Sequence, residues 1–238
     1  MNRKDVIVAC DFASAAATFD FLDHFGNEGR KPFVKIGMEL FYAEGPAIVH
    51  GIKDRGHQIF LDLKLHDIPN TVRKAMKVLS SLEVDIVNVH AAGTVAMMEA
   101  ALEGLEEGSA GRQRPLLIGV TQLTSTDQAR MEEELMIHAP IEEVVMHYAA
   151  NARRAGLDGV VCSPLEAAAV HSVCGPDFLT VTPGIRFADS AAGDQKRIMT
   201  PADAARAGAD LIVAGRPITA AEDPVAAYRR CVKEFLGE

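Results

Sequence analysis

Residues 59–71 read I-F-L-D-L-K-L-H-D-I-P-N-T, and three charged groups in that string are the ones best able to do chemistry. Asp62 and Lys64 interrupt an apolar run made by Ile59, Phe60, Leu61, Leu63 and Leu65. A run of that length and composition predicts a buried strand. The i, i+2 spacing turns Asp62 and Lys64 to one face, with Cα atoms about 6.6 Å apart. Burying an unpaired carboxylate or ammonium costs several kcal/mol, so charges on such a strand are partnered or functional. An ammonium beside a carboxylate can favour an anion and deliver a proton to it. Asp67 follows just beyond, where Pro69 and Asn70 announce a helix. Plainer readings stand beside this one: Asp67 as a helix cap, and Asp62 with Lys64 as a structural ion pair.

The elements that must position these groups alternate along the whole chain. Candidate strands are Val6–Cys10, Phe33–Gly37, Ile59–Lys64, Asp85–His90, Leu116–Thr121, Gly159–Ser163, Leu179–Thr182 and Asp210–Ala214. Several are apolar on both faces, as parallel strands covered by helices are. Between them, Val72, Ala75, Met76 and Leu79 keep the helical period, as do Met98, Ala101, Leu102 and Leu105. A third stripe runs from Ile141 through Val144, Val145, Tyr148 and Ala149 to Ala152, and the last helix starts at Asp223-Pro224. Eight β-then-α units in 238 residues predict an α/β chain folded as a (β/α)₈ TIM barrel, a fold of about 250 residues. An open doubly wound sheet would show a glycine-rich first turn, and strand 1 ends instead in Cys10-Asp11-Phe12-Ala13. No linker divides the chain, so residues 1–238 are expected to form a single barrel domain.

Barrel chemistry collects at the C-terminal ends of strands. Those ends supply Asp11, Lys35, Asp62 and Lys64, an acid–base–acid–base set on three consecutive strands, with His90 closing strand 4. Such a set can satisfy itself, each ammonium donating to carboxylates. At the far end of the chain, strand 7 runs into Thr182-Pro183-Gly184-Ile185-Arg186 and strand 8 into Ala214-Gly215-Arg216-Pro217. Loops in those places commonly bind phosphate, with glycine admitting close approach and arginine matching phosphate oxygens. The alternative is an ordinary turn with a surface arginine. A polar stretch, 187–199, has the length of a lid over that site.

Composition narrows the classes. A net charge of −9 argues against nonspecific binding of nucleic acid or of a membrane surface. Cys10, Cys162, Cys174 and Cys231 form no C-x-x-C pair and read as core residues in a reducing compartment, so a cytoplasmic protein is expected. The basic start Met1-Asn2-Arg3-Lys4 imitates a leader, but Asp5 and Asp11 cut the apolar stretch short. Zinc-protease, nucleotide-loop and dinucleotide motifs are all missing from the sequence, and the eight histidines lack metal-ligand spacing.

The string D-L-K-L-H-D-I-P-N-T, residues 62–71, resembles the signature of the orotidine 5′-phosphate decarboxylase family nearly letter for letter, and the resemblance extends along the whole chain. It implies a reaction without metal or cofactor that converts orotidine 5′-monophosphate to uridine 5′-monophosphate (UMP) and carbon dioxide. By the same resemblance Lys64, Asp62, Asp67 and Lys35 are catalytic. Asp11, Lys35, Asp62, Thr71, Thr124, Arg186, Gln195, Gly215 and Arg216 bind substrate, Thr124 at the pyrimidine edge and Gln195, in G-D-Q-K-R, at the phosphate. It further implies a homodimer in which Asp67 and Thr71 reach the neighbouring subunit's site. Magnesium-dependent sugar-phosphate decarboxylases and synthases of the same superfamily share D-x-K-x-x-D; the I-P-N-T continuation and G-D-Q-K-R favour the orotidine enzyme. A non-catalytic phosphate-sensing barrel would not need the four charges.

Overall fold

Alternating apolar strands that pair only with their sequence neighbours leave one way to remove both sheet edges, which is closure. The computed structural model describes residues 3–189 and 199–237. In it β1 (Asp5–Ala9), β2 (Phe33–Gly37), β3 (Ile59–Leu65), β4 (Ile86–His90), β5 (Leu116–Val120), β6 (Gly159–Val161), β7 (Leu179–Thr182) and β8 (Leu211–Ala214) form a closed parallel barrel in chain order. Val8 lies opposite Ala214, so β8 returns to β1. All eight expected strands are present, with ends shifted by a residue or two. At β6 the reason is local. Ser163 leaves the strand to cap the turn Pro164–Glu166, and the Glu166 carboxylate accepts the Ser163 N–H at 2.7 Å.

The pleat sorts the core into two. Outward residues such as Val6, Val8, Ile36, Leu61, Val87 and Val89 pack under the helices. Inward residues Ile7, Phe33, Phe60, Ile86, Ile118, Val181 and Leu211 fill the barrel. Two residues further along the same inward rows, Phe33 gives way to Lys35, Phe60 to Asp62 and Ile86 to Asn88. The barrel is thus apolar below and polar at its C-terminal mouth.

The lower rim carries a device that repeats every second strand. Asp85, Asp158 and Asp210 stand immediately before β4, β6 and the start of β8. Each carboxylate accepts a backbone N–H at the start of the preceding strand: Ile59 at 2.7 Å, Leu117 at 2.7 Å and Thr180 at 2.9 Å. Each also has a basic partner, Lys53 for Asp85, Arg114 for Asp158, and Arg3 with His171 for Asp210. Their main chains join the ladder as well, Asp85 N–H donating to the Ile59 carbonyl and Asp158 N–H to that of Leu117, both at 2.9 Å, so side chain and backbone hold each strand start together.

Above β3, the helix Pro69–Leu79 lies tight against Thr94–Ser109. Gly104 and Gly108 permit the approach, since a Cβ there would collide with the carbonyls of Arg73 and Lys77. This fixes the segment 66–71 over the mouth. For the lower rim, Asp158→Ala leaves the Leu117 N–H and the Arg114 guanidinium without their partner and should cost about 1–3 kcal/mol in urea unfolding. Asp177→Ala, which removes only an exposed partner of Arg3, should stay within about 0.5 kcal/mol.

Candidate active site

The predicted charges meet. Lys35 Nζ lies 3.1 Å from Asp11 Oδ1 and 3.3 Å from Asp62 Oδ2, while Lys64 Nζ reaches Asp62 Oδ1 at 2.6 Å. The chain of contacts runs Asp11–Lys35–Asp62–Lys64. Its middle is dry and its outer end is wet: the side chains of Lys35 and Asp62 are 13% and 11% exposed, that of Asp11 65%. Burial works to raise the Asp62 carboxyl, but the ammoniums of Lys35 and Lys64 and the hydrogen bonds from Lys64 and Asn88 outweigh it and hold it below the ordinary range. Burial likewise works to lower Lys35, and the Asp62 and Asp11 charges outweigh it, so its ammonium is held above the ordinary lysine value. Both groups are therefore charged near neutrality.

The regular strand expected through Lys64 is not what forms. Phe60 and Leu61 pair with Ile86 and Val87, but the next partner of Val89 is Leu65, so residues 62–64 bulge opposite Asn88 alone. Lys64 has φ of 52°, a left-handed conformation that costs a side-chain-bearing residue about 1–2 kcal/mol. Asp62 and Lys64 meet because of this bulge, rather than through a shared pleat face. Asn88 closes the gap. Its Oδ1 accepts the Lys64 N–H at 2.8 Å and its Nδ2 donates to Asp62 Oδ1 at 2.7 Å. Sequence reasoning passed over Asn88, though a polar residue on the inward row of I-V-N-V-H was a visible signal.

Beside the four charges opens a cavity of about 180 Å³, lined by Lys35, Asp62, Lys64, Thr124, Pro183 and Val213 among others. Thr124 lies at the wall of this cavity that also carries Gln122 and Leu123. A larger hollow of about 680 Å³ lies at the opposite end, among Asp85, Arg114 and Asp158, whose charges are engaged in capping strands. Past Pro183 and Val213 come the two arginine loops. Arg186 is buried, donates to the Ile185 carbonyl, and is pulled below the ordinary arginine value by burial and by the neighbouring Arg216 guanidinium. Two guanidiniums close enough to repel make a corner suited to an anion. Gly215 lies beside Ala9, and a Cβ there would meet only ordinary contacts.

The expected lid is anchored at its base. Ile185 bridges to Met199, and Phe187 is buried beneath the Arg230 guanidinium, 4.2 Å from its ring centre. Phe187 therefore belongs to the core and not to the lid. Gln195 lies outside the described residues. Asp67 and Thr71 are exposed, and the Asp67 carboxylate accepts the Ile68 N–H at 2.6 Å. Ile68, not Asp67, holds the N-cap position of the helix Pro69–Leu79, so the capping alternative is set aside. Among the described residues Asp67 pairs with no cation of its own chain. His66 and His90 face each other with ring centres 5.6 Å apart; burial, then the charges of His66 and Lys64, keep His90 below its ordinary value.

A closed (β/α)₈ barrel whose first three strands present alternating charges, with two arginines after strands 7 and 8, defines a barrel enzyme with its site at the C-terminal mouth. The chain belongs to the orotidine 5′-phosphate decarboxylase / HUMPS family, whose model matches residues 4–231. A relative from Geobacillus sp. (strain WCH70), named orotidine 5′-phosphate decarboxylase, is 58% identical over 98% of this chain and 97% of its own. One of the same name from Bacillus cereus (strain B4264) is 54% identical over 98% of each chain. The crystal structure of orotidine 5′-phosphate decarboxylase from Lactobacillus acidophilus superposes with a TM-score of 0.87 at 42% identity, covering 98% of this chain and 99% of that one.

The charged pair at the centre gives stability a defined pH window. Asp62, lowered, stabilises above about pH 4 and loses that contribution as pH falls through its folded value. Lys35, raised, stabilises below about pH 10.5 and loses it as pH rises through its folded value. The double variant Lys35→Met/Asp62→Leu should therefore lose less stability than wild type between about pH 6 and about pH 3 in urea titrations. Equal losses would show that the pair does not contribute to the acid limb.

Proposed function

We propose that the protein decarboxylates orotidine 5′-monophosphate to UMP and carbon dioxide, with Lys64 as the general acid. The observation that carries this reading is the Asp11–Lys35–Asp62–Lys64 chain at the mouth of the barrel, bordering a cavity whose walls lead to two arginine loops. In the reaction the bond from C6 to the carboxylate breaks, its electron pair stays on C6, and carbon dioxide leaves. A proton moves from Lys64 Nζ to C6, and the neutral amine recovers a proton from solvent.

Each charge has a task in that scheme. Asp62, held ionised by two ammoniums, stands beside the substrate carboxylate and disfavours its ground state. Lys64 favours negative charge at C6 before it gives up its proton. Lys35 and Asp11, nearer the wet end, bind ribose hydroxyls. Thr124 reads the pyrimidine edge. Arg186, Arg216, Gly215 and Gln195 take the phosphate, and binding energy from that remote group supports orientation at C6. The reading uses neither a metal nor an organic cofactor.

Exposure of Asp67, Ile68 and Thr71 above the mouth supports a homodimer in which Asp67 and Thr71 complete the partner's site. Four buried cysteines, none of them in a disulfide, support a cytoplasmic location. Among the described residues no helix is long and apolar enough to cross a membrane.

The direct test is carbon dioxide release from orotidine 5′-monophosphate, with and without EDTA; release unaffected by the chelator is expected. Lys64→Ala should lower turnover by at least about 10²–10⁴-fold, the usual worth of a general acid, while UMP still binds. Near-normal turnover in that variant would remove Lys64 from the acid role. Asp67→Asn should lower turnover with the dimer intact in sedimentation. Wild-type turnover should also fall on dilution through the dimer dissociation constant; a rate constant indifferent to dilution far below it would count against shared sites.

A further inference from the structure

We infer that Asn88 is a positioning residue of this site, its side-chain amide setting the Asp62 carboxylate and the bulged Lys64 backbone together and so aiming the Lys64 ammonium. The inference rests on the decarboxylase reading for the identity of the step it affects, but its geometry stands apart from that reading.

Asn88 is 1% exposed and occupies the inward row of β4, directly above Ile86. It lies opposite Ile118 of β5, so that strand offers it nothing polar at this level. Facing it across β3 is the stretch where the backbone ladder fails, between the Leu61–Val87 and Leu65–Val89 pairs. The amide supplies what the ladder omits. Its carbonyl takes the Lys64 N–H, at 2.8 Å, in place of a β4 main-chain oxygen. Its NH₂ donates at 2.7 Å to Asp62 Oδ1, the oxygen that also receives Lys64 Nζ at 2.6 Å.

Chemistry fixes the orientation of the amide, because the reversed one would oppose donor to donor at Lys64 and acceptor to acceptor at Asp62. The consequence is a closed loop of three contacts: Lys64 backbone to Asn88, Asn88 to Asp62, and Asp62 to the Lys64 ammonium. Among side chains of this length and shape, only a protonated aspartate would also offer an acceptor and a neutral donor at once. Aspartate keeps the acceptor but sets a second carboxylate against Asp62. Leucine keeps the volume and removes both bonds. A residue that merely filled space would tolerate leucine.

The test uses the full chain carrying Asn88→Leu or Asn88→Asp. For Asn88→Leu, kcat should fall at least about 10²-fold, as a small misplacement of a reacting group does. The KM for orotidine 5′-monophosphate and the Kd for UMP should stay within about threefold, since the phosphate and ribose contacts are untouched. Asn88→Asp should be impaired at neutral pH and recover as pH falls and the new carboxyl takes a proton, which restores a donor to Asp62. The charged groups facing that carboxyl are Asp62 and Lys64 from β3, Lys35 from β2 and His90 on its own strand, and wild type should show no such recovery. A folded leucine variant with kcat within about threefold of wild type, or a loss confined to KM, would overturn the inference.

If leucine prevents folding, Asn88→Ser takes its place under the same criteria, since one short hydroxyl cannot span both partners. The ¹⁵N shift of the Lys64 ammonium in the ligand-free protein should move in any of these variants, and an unmoved shift would also overturn the inference. That measurement needs no turnover, so wild type that released no carbon dioxide would defeat the proposed reaction and leave the positioning role decided by the spectrum.

Discussion

A carboxylate cannot be set into the top layer of an apolar barrel unless positive charge comes with it. Asp62 sits above Phe60 with its side chain mostly out of water, and it stays ionised because Lys35 approaches one oxygen and Lys64 the other. Removing either cation would leave a buried anion short of a partner, which is far costlier than never having placed it there. Three strands are thereby bound into one arrangement: β1 must deliver Asp11 to Lys35, β2 must deliver Lys35 to Asp62, and β3 must bend to bring Lys64 back. The parallel register makes the first two possible, since Ala9 pairs with Lys35 and Gly37 with Asp62.

The two ends of the barrel handle charge in opposite ways. At the lower rim Asp85, Asp158 and Asp210 neutralise basic side chains and tie down strand starts, so their charges are used up inside the fold. At the mouth, Arg186 and Arg216 push against one another, and Lys64 is partly open beside a cavity. In a protein of net charge −9, the cations that border this cavity set a local exception to the acidic background. The acidic background elsewhere disfavours nonspecific anions.

Much of this was legible because it follows from period and spacing. The eight strands are short apolar runs with few competitors, and the four charges stand out against them. The helix Pro224–Leu236 opens on Asp223, whose carboxylate accepts the Ala226 N–H, as the Asp-Pro pair forecast. What was hidden depends on side chains replacing backbone. Pleat alternation predicts Asp62 and Lys64 on one face, and nothing local in D-L-K tells that the chain turns left-handed at Lys64. Asn88 sits 26 residues from Asp62, so its role emerges only once β3 and β4 are side by side. Asp85 and Asp210 look like first residues of strands because their apolar neighbours are, whereas their carboxylates make them clamps. Asp67 was harder still, since a lone chain shows its exposure and not what it faces.

The bulge in β3 sets a limit on how far this barrel could be perfected. A designer seeking an ideal scaffold would draw β3 straight along β4, restore the missing rungs opposite residues 62–64, and replace the left-handed lysine with something content in a pleat. Every such change improves the object as architecture. It would also return the Lys64 N–H to a main-chain partner and take away the Asn88 contacts that tie Lys64 to Asp62. Here the irregular turn of backbone is the working part, and natural drift toward a tidier, hardier barrel would be drift toward an inert one.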